Sequence, residues 1–193
     1  MNRRNRQHGF SLIELLISLV IFAVGLLSVA GLQMVAKKSN FESLQRTTAS
    51  HIAYAMLEEI RTNGDGIGTY LAAPDLGGGQ FGEAPGSYCS NPAAPCTATQ
   101  KAAYDLWFWE QVLDGAQEMG VDGAAGGILT PTMCINGPAG GGAGTYEIAI
   151  AWYGTVSLEN SDLDDCGAGT GKYGDGDANR RVLQVTTFID PNI

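Results

Sequence analysis

The feature that most constrains this chain is an apolar stretch close to its N-terminus. The 27 positions from 10 to 36 contain a single ionisable side chain, Glu14. As an α-helix, this stretch would be about 40 Å long, which is enough to cross a bilayer with some tilt. Three arginines precede it, at positions 3, 4 and 6. Because positive charge before a span favours the cytoplasmic side, we predict one membrane span with the bulk of the chain outside the cytoplasm.

The remainder of the chain predicts a single acidic domain. With 193 residues, 45% of them hydrophobic, the chain can build one core of ordinary size, but a two-domain enzyme is not expected. The formal net charge is −9, which does not favour a nucleic acid as partner. Four cysteines follow the apolar stretch, and an even number suits a compartment that permits disulfides. They are Cys89, Cys96, Cys134 and Cys166.

Two simpler interpretations of the N-terminus stay open at this point. An ordinary signal peptide combines a basic start with an apolar centre of roughly 7–15 residues, and the Ser-Val-Ala at 28–30 could be its cleavage site. The observed stretch is long for that class, and it contains Glu14. An uncleaved signal anchor would explain the length. Such an anchor has no use for a carboxylate inside the span, where burial without a partner is costly.

The residues around Glu14 resemble a known processing motif. Residues 9–14 read Gly-Phe-Ser-Leu-Ile-Glu. This is similar to the prepilin peptidase site of type IV pilins and type II secretion pseudopilins, in which a basic leader is cut after the glycine. The resemblance implies cleavage between Gly9 and Phe10, methylation of the Phe10 amine, and a role for Glu14 in assembly. It also implies an α+β, type IV pilin-like fold, with a long N-terminal helix packed against a small antiparallel β-sheet head.

Further segments resemble one subgroup, the PilV group of minor pilins. The similarity covers most of residues 1–63 and the aromatic patch at 104–109, with little between or after them. One departure is visible. Many pilins have a proline in the membrane-embedded half of the helix, whereas the first proline here is Pro74, so any kink must arise at Gly25 or Gly31.

The hydrophobic pattern divides the chain into four parts. Residues 1–9 form the leader, 10–36 the transmembrane or filament-core helix, 37–63 an amphipathic continuation of that helix, and 64–193 a globular periplasmic head. We predict that the long helix ends at Asn63, since glycines follow it. Its second half has an apolar stripe that we expect to pack against the head, formed by Phe41, Leu44, Ile52, Met56 and Ile60.

Within the head, glycine and proline content indicates where regular structure is interrupted. Residues 64–100 read as a loop region with little regular structure, and 100–117 as a short helix. Segments near 128–135, 146–153 and 182–189 are enriched in β-branched and aromatic residues, which predicts an antiparallel sheet. Four cysteines allow three pairings. We favour Cys89 with Cys96, which closes a short proline-containing loop, and Cys134 with Cys166, which ties a strand to an acidic loop.

No pattern in the sequence predicts a catalytic residue, a cofactor or a metal site. Residues 167–173 look superficially like a phosphate-binding loop, but Cys166 and Tyr173 occupy positions that such a loop needs for glycine and for Ser or Thr, so we interpret them as a flexible turn. The aspartates between 162 and 177 lack the spacing of a calcium loop. His51 is the single histidine after the leader, and we expect core roles for the tryptophans at 107, 109 and 152.

The resemblance implies a function in assembly rather than catalysis. The expected protein is a minor pilin, processed by prepilin peptidase, that takes part in initiating a type IV pilus and is incorporated into it, with consequences for twitching motility. Its expected partners are other minor pilins, the major pilin and the inner-membrane assembly machinery. It would span the inner membrane once, with its head in the periplasm, before entering the pilus. A type II secretion pseudopilin, or a tip adhesin or binding module acting in cell adhesion, are the alternatives.

Overall fold

The structure is a computed structural model that describes residues 9–86, 89, 94–116, 119–120, 123–124, 126–158 and 164–192. The chain divides into two compact units, Met1–Phe41 and Glu42–Ile193, which are treated separately below. Of the predicted leader at 1–9, residues 1–8 lie outside the described residues. The sequence predicts segment boundaries at residues 36 and 63, whereas the boundary between the two compact units lies after Phe41.

One helix, α1, accounts for most of the first unit and enters the second. It runs over Leu12–Thr62, 51 residues, close to the predicted range of 10–63. The helix is long because its sequence contains no proline and is rich in leucine, isoleucine and alanine. By length and composition it is the one described helix that could cross a membrane. In the first unit, its apolar side chains are all exposed.

Residues 64–100 were predicted to be a loop region with little regular structure. The chain instead stays helical directly after α1 ends. A short 3-10 helix follows at Gly64–Gly66, and helix α2 covers Ile67–Leu71. Gly66 leaves no room for a side chain, since a Cβ there would lie 2.4 Å from the Asn63 side chain. The glycines therefore redirect the helical chain and do not abolish its helicity. Among the described residues between 72 and 97, one isolated bridge is present, between Leu76 and Met133.

Helix α3 spans Ala98–Leu113, shifted toward the N-terminus relative to the predicted 100–117. A capping box determines its start: Gln100 N donates to Thr97 Oγ1 at 3.2 Å, and Thr97 N donates to Gln100 Oε1 at 2.9 Å. Its end is determined by Gly115, which has a φ of 74°. A Cβ at Gly115 would lie 1.9 Å from Gly126 O, so no other residue fits there without displacement.

In the described part of the chain after α3 there are five strands. A two-stranded ribbon, which is not among the predicted strands, pairs β1 (Met119–Gly120) with β2 (Gly123–Ala124). The main sheet has the antiparallel order β3-β4-β5, formed by Thr132–Asn136, Gly144–Tyr153 and Arg180–Ile189. The last two match predicted segments closely, whereas the first begins four residues later than its predicted start at 128. A long N-terminal helix with a small antiparallel sheet confirms the predicted α+β fold class.

The core of the second unit lies between one face of this sheet and the second half of α1. Met56 and Ile60 of α1 pack in one cluster with Ile148 and Ile150 of β4. Burying each such side chain stabilises the fold by about 1.5–3 kcal/mol. The predicted stripe is correct for Ile52, Met56 and Ile60 and wrong for Leu44, which is 61% exposed. Phe41 belongs to the first unit and is exposed as well.

Candidate functional site

The predicted processing site lies at the start of α1. Gly9 and Phe10 precede the helix, and both are exposed, with Phe10 88% accessible. The first helical turn closes on Ser11, whose carbonyl accepts from Glu14 N at 3.1 Å and from Leu15 N at 3.2 Å. The peptide bond between Gly9 and Phe10 is therefore outside the hydrogen-bonded helix, and an exposed bond outside regular structure is open to a peptidase.

Glu14 lies in the first turn of α1. A negative charge there is favoured by the helix dipole, since the N-terminal N–H groups are not paired within the helix. The Glu14 side chain is exposed, and within residues 9–86 and the other described ranges its carboxylate has no hydrogen bond and no ion pair. The carbonyl of Glu14 accepts from Ser18 Oγ at 2.7 Å. The carboxylate is thus free to bind a cation supplied by another molecule.

The surface around Glu14 is apolar on every side of the helix. Large hydrophobic side chains from Leu12 to Val35 are more than half exposed. An apolar surface of this extent is stable only when lipid or another protein covers it. Members of this surface include Leu12, Ile13, Leu15, Leu16, Leu19, Val20, Ile21, Phe22, Val24, Leu27, Leu32 and Val35.

In the second unit, two polar residues of α1 bind the head, and neither is among the residues predicted from the sequence. Gln45 is buried, and its side chain satisfies two backbone groups: Oε1 accepts from Leu129 N at 2.7 Å, and Nε2 donates to Gly127 O at 3.4 Å. Glu42 accepts from the backbone N–H and the hydroxyl of Thr155. Gln45 precedes buried Ala49 by four positions, and this helical spacing was the available signal.

Glu110 of α3 and Asp114, the residue directly after this helix, bind the glycine-rich loop at 77–81. Glu110 is fully buried, and its carboxylate accepts from three backbone N–H groups, those of Gly77 at 3.0 Å, Gln80 at 2.8 Å and Phe81 at 2.6 Å. Asp114, one turn later, accepts from Gly78 and Gly79. Because backbone donors surround the carboxylate, the loop replaces the water that Glu110 loses on burial.

A second polar cluster joins α1, α2 and α3. Tyr70 Oη donates to Asp105 Oδ2 at 2.5 Å, and Lys101 Nζ bonds both Asp105 and Glu59, the latter at 2.6 Å. Burial raises the pKa of Tyr70 above its usual value, and the bond to Asp105 acts in the same direction. For Lys101, burial alone would lower the pKa, but the two carboxylates outweigh burial and raise it. This cluster is structural, since its donors and acceptors satisfy one another.

Two disulfides tie the head together. Cys89 pairs with Cys96 and Cys134 pairs with Cys166, which is the pairing that the sequence analysis favours. The second bridge connects strand β3 to the segment that follows residue 163. Cys134 and Cys166 form a small cluster with Ala149 on the sheet face opposite the main core.

The segment at 167–173 is anchored, which corrects the prediction of a flexible turn. Tyr173 is fully buried, and its hydroxyl donates to Thr132 Oγ1 at 2.7 Å. Of the aspartates, Asp164 accepts from Cys166 N and Asp177 accepts from Gly169 N, while Asp162 lies outside the described residues. In the part of the chain that the structure describes, no group of three His, Cys, Asp or Glu side chains could hold a metal ion.

The tryptophans are less buried than predicted. Trp152 lies in the core, but Trp107 and Trp109 of α3 are half-buried. Trp107 lines a groove of about 600 Å³ together with Leu106 and Phe81. The prediction of a core role is therefore correct for Trp152 and in part for Trp109, which packs against the core cluster. It is wrong for Trp107, because this side of α3 is only partly covered. His51 is exposed on α1.

Comparison with protein families adds two matches. Residues 4–30 match the family profile described as the prokaryotic N-terminal methylation motif, and residues 31–107 match that described as type IV pilin Tt1218. No curated protein and no solved structure matches the chain. Neither family match distinguishes the PilV group. The first match includes Gly9, Phe10 and Glu14, and the second includes α2 and ends within α3. Together with the α+β architecture, the two matches support the placement of this chain in the type IV pilin superfamily, a family of structural proteins.

Proposed function

We propose that this chain is a minor type IV pilin that takes part in starting the assembly of a pilus and is incorporated into it. The proposal rests on the structure of the first unit. This unit is an apolar helix whose side chains are exposed all round, and one carboxylate, that of Glu14, is exposed in its first turn. Such a helix suits two surroundings in turn, lipid before assembly and neighbouring helices in a filament afterwards.

Processing comes first in the proposed sequence of events. Prepilin peptidase cuts between Gly9 and Phe10 and methylates the new amine on Phe10. The match to the N-terminal methylation motif at 4–30 supports this step. The protein is then held in the inner membrane by the helix, with its acidic head in the periplasm, and it later moves into the pilus.

Glu14 has the central role in assembly. A carboxylate without a partner in an apolar environment is costly, and a cation from another subunit relieves that cost. The amine of Phe10 on a neighbouring pilin is a cation at the matching depth, four residues from Glu14 in the sequence. Pairing between the two would position each incoming subunit, whether that subunit is another minor pilin or the major pilin.

The decisive experiment replaces Glu14 by leucine. We expect the Glu14→Leu protein to be inserted, processed and folded normally, because a more apolar side chain suits the membrane span. We expect its amount in sheared pili to fall at least about tenfold, which corresponds to the loss of an interaction of about 1.4 kcal/mol or more. Ser28→Leu is the matched control, since Ser28 is also an exposed polar residue of the same helix and its hydroxyl bonds only the carbonyl of Val24. Wild-type amounts of Glu14→Leu in sheared pili would contradict the proposal.

Deletion of the chain separates the pilus role from the alternatives. We expect loss of surface pili and of twitching, with protein secretion unchanged. Lost secretion with normal pili would instead identify a type II secretion pseudopilin. Normal pili that no longer attach to surfaces would identify a tip adhesin.

A further inference from the structure

A groove of about 490 Å³ lies in the second unit, between the part of α1 that enters this unit and the end of the main sheet. Its volume is in the range of ligand pockets, which is about 300–1,000 Å³. The groove lies outside the processing motif around Glu14. Its lining residues include Glu42, Arg46, Trp152, Val156, Leu158 and Arg181.

Trp152 of β4 leaves a hydrogen-bond donor unpaired in the wall of this groove. Only 4% of the residue is exposed, and its indole Nε1 has no acceptor in the described part of the chain. A buried tryptophan N–H usually has an acceptor, because an unpaired buried donor has lost its bond to water without replacing it. An oxygen atom from another molecule would supply the acceptor.

The guanidinium group of Arg181, near the start of β5, is held at the same groove. Its Nη1 donates to the carbonyl of Arg180 at 3.1 Å, and its Nη2 donates to the carbonyl of Val156. The side chain packs against Gly154, where a Cβ would lie 2.8 Å from Arg181 Cζ. Among the described residues, no carboxylate lies within ion-pair distance of Arg181. A guanidinium that is fixed in place without a counter-ion favours an anion.

Arg46 of α1 adds a second positive charge. Its side chain is exposed, and within the ranges that the structure describes it has no hydrogen bond and no ion pair. Glu42 is the carboxylate in the lining, and it accepts from the backbone N–H and the hydroxyl of Thr155. The groove therefore offers two guanidinium groups and one indole N–H to a ligand, and its own carboxylate is bound elsewhere. Such a set of donors matches an oxyanion.

The apolar part of the lining indicates what carries the anion. Val156 and Leu158 are 52% and 53% exposed. An inorganic ion would leave them uncovered, whereas an acidic side chain on a peptide brings apolar neighbours with it. Carboxylates are also the common charge in chains of this composition, since 20 acidic residues stand against 11 basic ones, three of which lie in the predicted leader.

We propose that this groove binds a carboxylate side chain from an acidic segment of a neighbouring subunit. The carboxylate is held by Arg46 and Arg181, and it accepts from the indole N–H of Trp152. An apolar side chain next to it in the segment covers Val156 and Leu158. The identification of the neighbour as a pilin subunit rests on the proposed function, whereas the preference for a carboxylate rests on the groove alone.

The test is a titration of the isotope-labelled full chain, in detergent micelles, with the acetylated and amidated peptide Ala-Leu-Glu-Leu-Ala. We expect a saturable shift of the indole N–H resonance of Trp152, with the resonances assigned through Trp107→Phe and Trp109→Phe. The resonance of Trp107 is the internal control, because its Nε1 is also buried without an acceptor but Trp107 lines a different groove. The same peptide with Gln in place of Glu should shift neither. Absence of a saturable shift, or equal shifts from the two peptides, would overturn the proposal.

A charge variant tests the contribution of α1 to this groove. Arg46→Gln changes an exposed side chain, and we expect it to raise the Kd of the acidic peptide at least about tenfold, as the loss of a charge-assisted hydrogen bond predicts. Arg61→Gln is the matched control, since it makes the same change of charge at an exposed position of the same helix away from the groove. It should leave the Kd unchanged. Equal effects of the two variants would show a general electrostatic attraction and would also overturn the proposal.

Two further titrations separate the peptide carboxylate from other sources of an oxyanion. Inorganic phosphate, and phosphatidylglycerol added to the micelles, should each shift the Trp152 resonance less than the acidic peptide does at the same concentration. A larger shift from either would assign the groove to a phosphate group instead. Because these measurements use no pili, their outcome is independent of whether Glu14→Leu is lost from sheared pili, so the two proposals can fail separately.

Discussion

At the scale of single residues, the head depends on polar side chains that are satisfied by backbone groups. Glu110 is the clearest case, because its carboxylate is fully buried and yet accepts three backbone hydrogen bonds from the loop at 77–81. Gln45 does the same for the backbone at 127 and 129. Each of these residues holds a segment that has little regular structure of its own.

The role of Glu110 can be measured with a nearly isosteric change. Glu110→Gln replaces one acceptor oxygen by an NH2 group that faces backbone donors, so we expect the free energy of unfolding to fall by about 2–4 kcal/mol. Asp114→Asn is the matched control, since Asp114 binds the same loop from a more exposed position, and its effect should be about 1 kcal/mol or less. Urea unfolding of the detergent-solubilised chain, followed by tryptophan fluorescence, measures both. Equal losses for the two variants would contradict the assigned role.

The stability of the head should fall at high pH because of Tyr70 and Lys101. Both groups have pKa values raised in the folded state, so the folded protein retains protons that the unfolded chain releases. Their contribution is therefore complete below the ordinary tyrosine pKa of 10.0 and is lost as pH rises beyond it. Tyr70→Phe cannot titrate, and we expect its unfolding free energy to decline less steeply than that of the wild type between about pH 10 and pH 11. Parallel declines would show that Tyr70 is not responsible.

At the scale of elements, the turn after α3 depends on one glycine. Gly115 combines a φ of 74° with a position 1.9 Å from Gly126 O for any added Cβ. We expect Gly115→Ala to lower the free energy of unfolding by at least about 2 kcal/mol, since strain and steric overlap add. Gly68→Ala in α2 is the matched control. It meets no atom within 4 Å and has no positive φ, so it should be neutral or stabilising by up to about 1 kcal/mol.

The bridge between Cys134 and Cys166 should contribute more to stability than the bridge between Cys89 and Cys96. It spans 32 residues, compared with seven, and closing a longer loop removes more entropy from the unfolded chain. We expect the double variant Cys134→Ala and Cys166→Ala to lose about 3–4 kcal/mol by the chain-entropy estimate. Peptide mapping without reduction should recover both bridges. Free thiols, or a link from Cys89 to Cys134, would contradict the arrangement.

Elements with strong local patterns could be predicted from the sequence, and those that depend on distant backbone groups could not. The range of α1 was predictable because apolar residues, the lack of proline and the glycines after Asn63 all act locally. Strand β5 was predictable for the same reason. The burial of Gln45 was not, because the groups that satisfy its amide lie 82 and 84 residues away in the sequence. The short helices between Gly64 and Leu71 were not predictable either, because glycine usually interrupts helical structure.

The same contrast between local patterns and contacts distant in sequence applies to the functional residues. Gly9, Phe10 and Glu14 could be singled out because they form one continuous motif, and their proposed roles require no knowledge of the head. The role of Glu110 could not be singled out in this way, because its carboxylate binds backbone groups that lie 29 to 33 residues away in the sequence.

At the scale of the whole molecule, the form of the mature protein is the first property to measure. We expect the intact mass to correspond to a chain that begins at Phe10 and carries one methyl group, with both disulfides oxidised. Mass spectrometry of protein purified from membranes decides this. A chain beginning at Gly31 would indicate ordinary signal peptidase, and retention of Met1 would indicate a simple anchor.

The bare apolar sides of α1 between Leu12 and Val35 have a consequence for the energy of assembly. Lipid tails are about as apolar as leucine and isoleucine, so moving this surface from a bilayer into a bundle of similar helices changes the hydrophobic free energy very little. This apolar surface therefore neither drives nor opposes the transfer of the helix from a bilayer into a bundle of similar helices. If the proposed assembly holds, the helix leaves the membrane at small cost, and the direction of movement depends on Glu14 and on the assembly machinery.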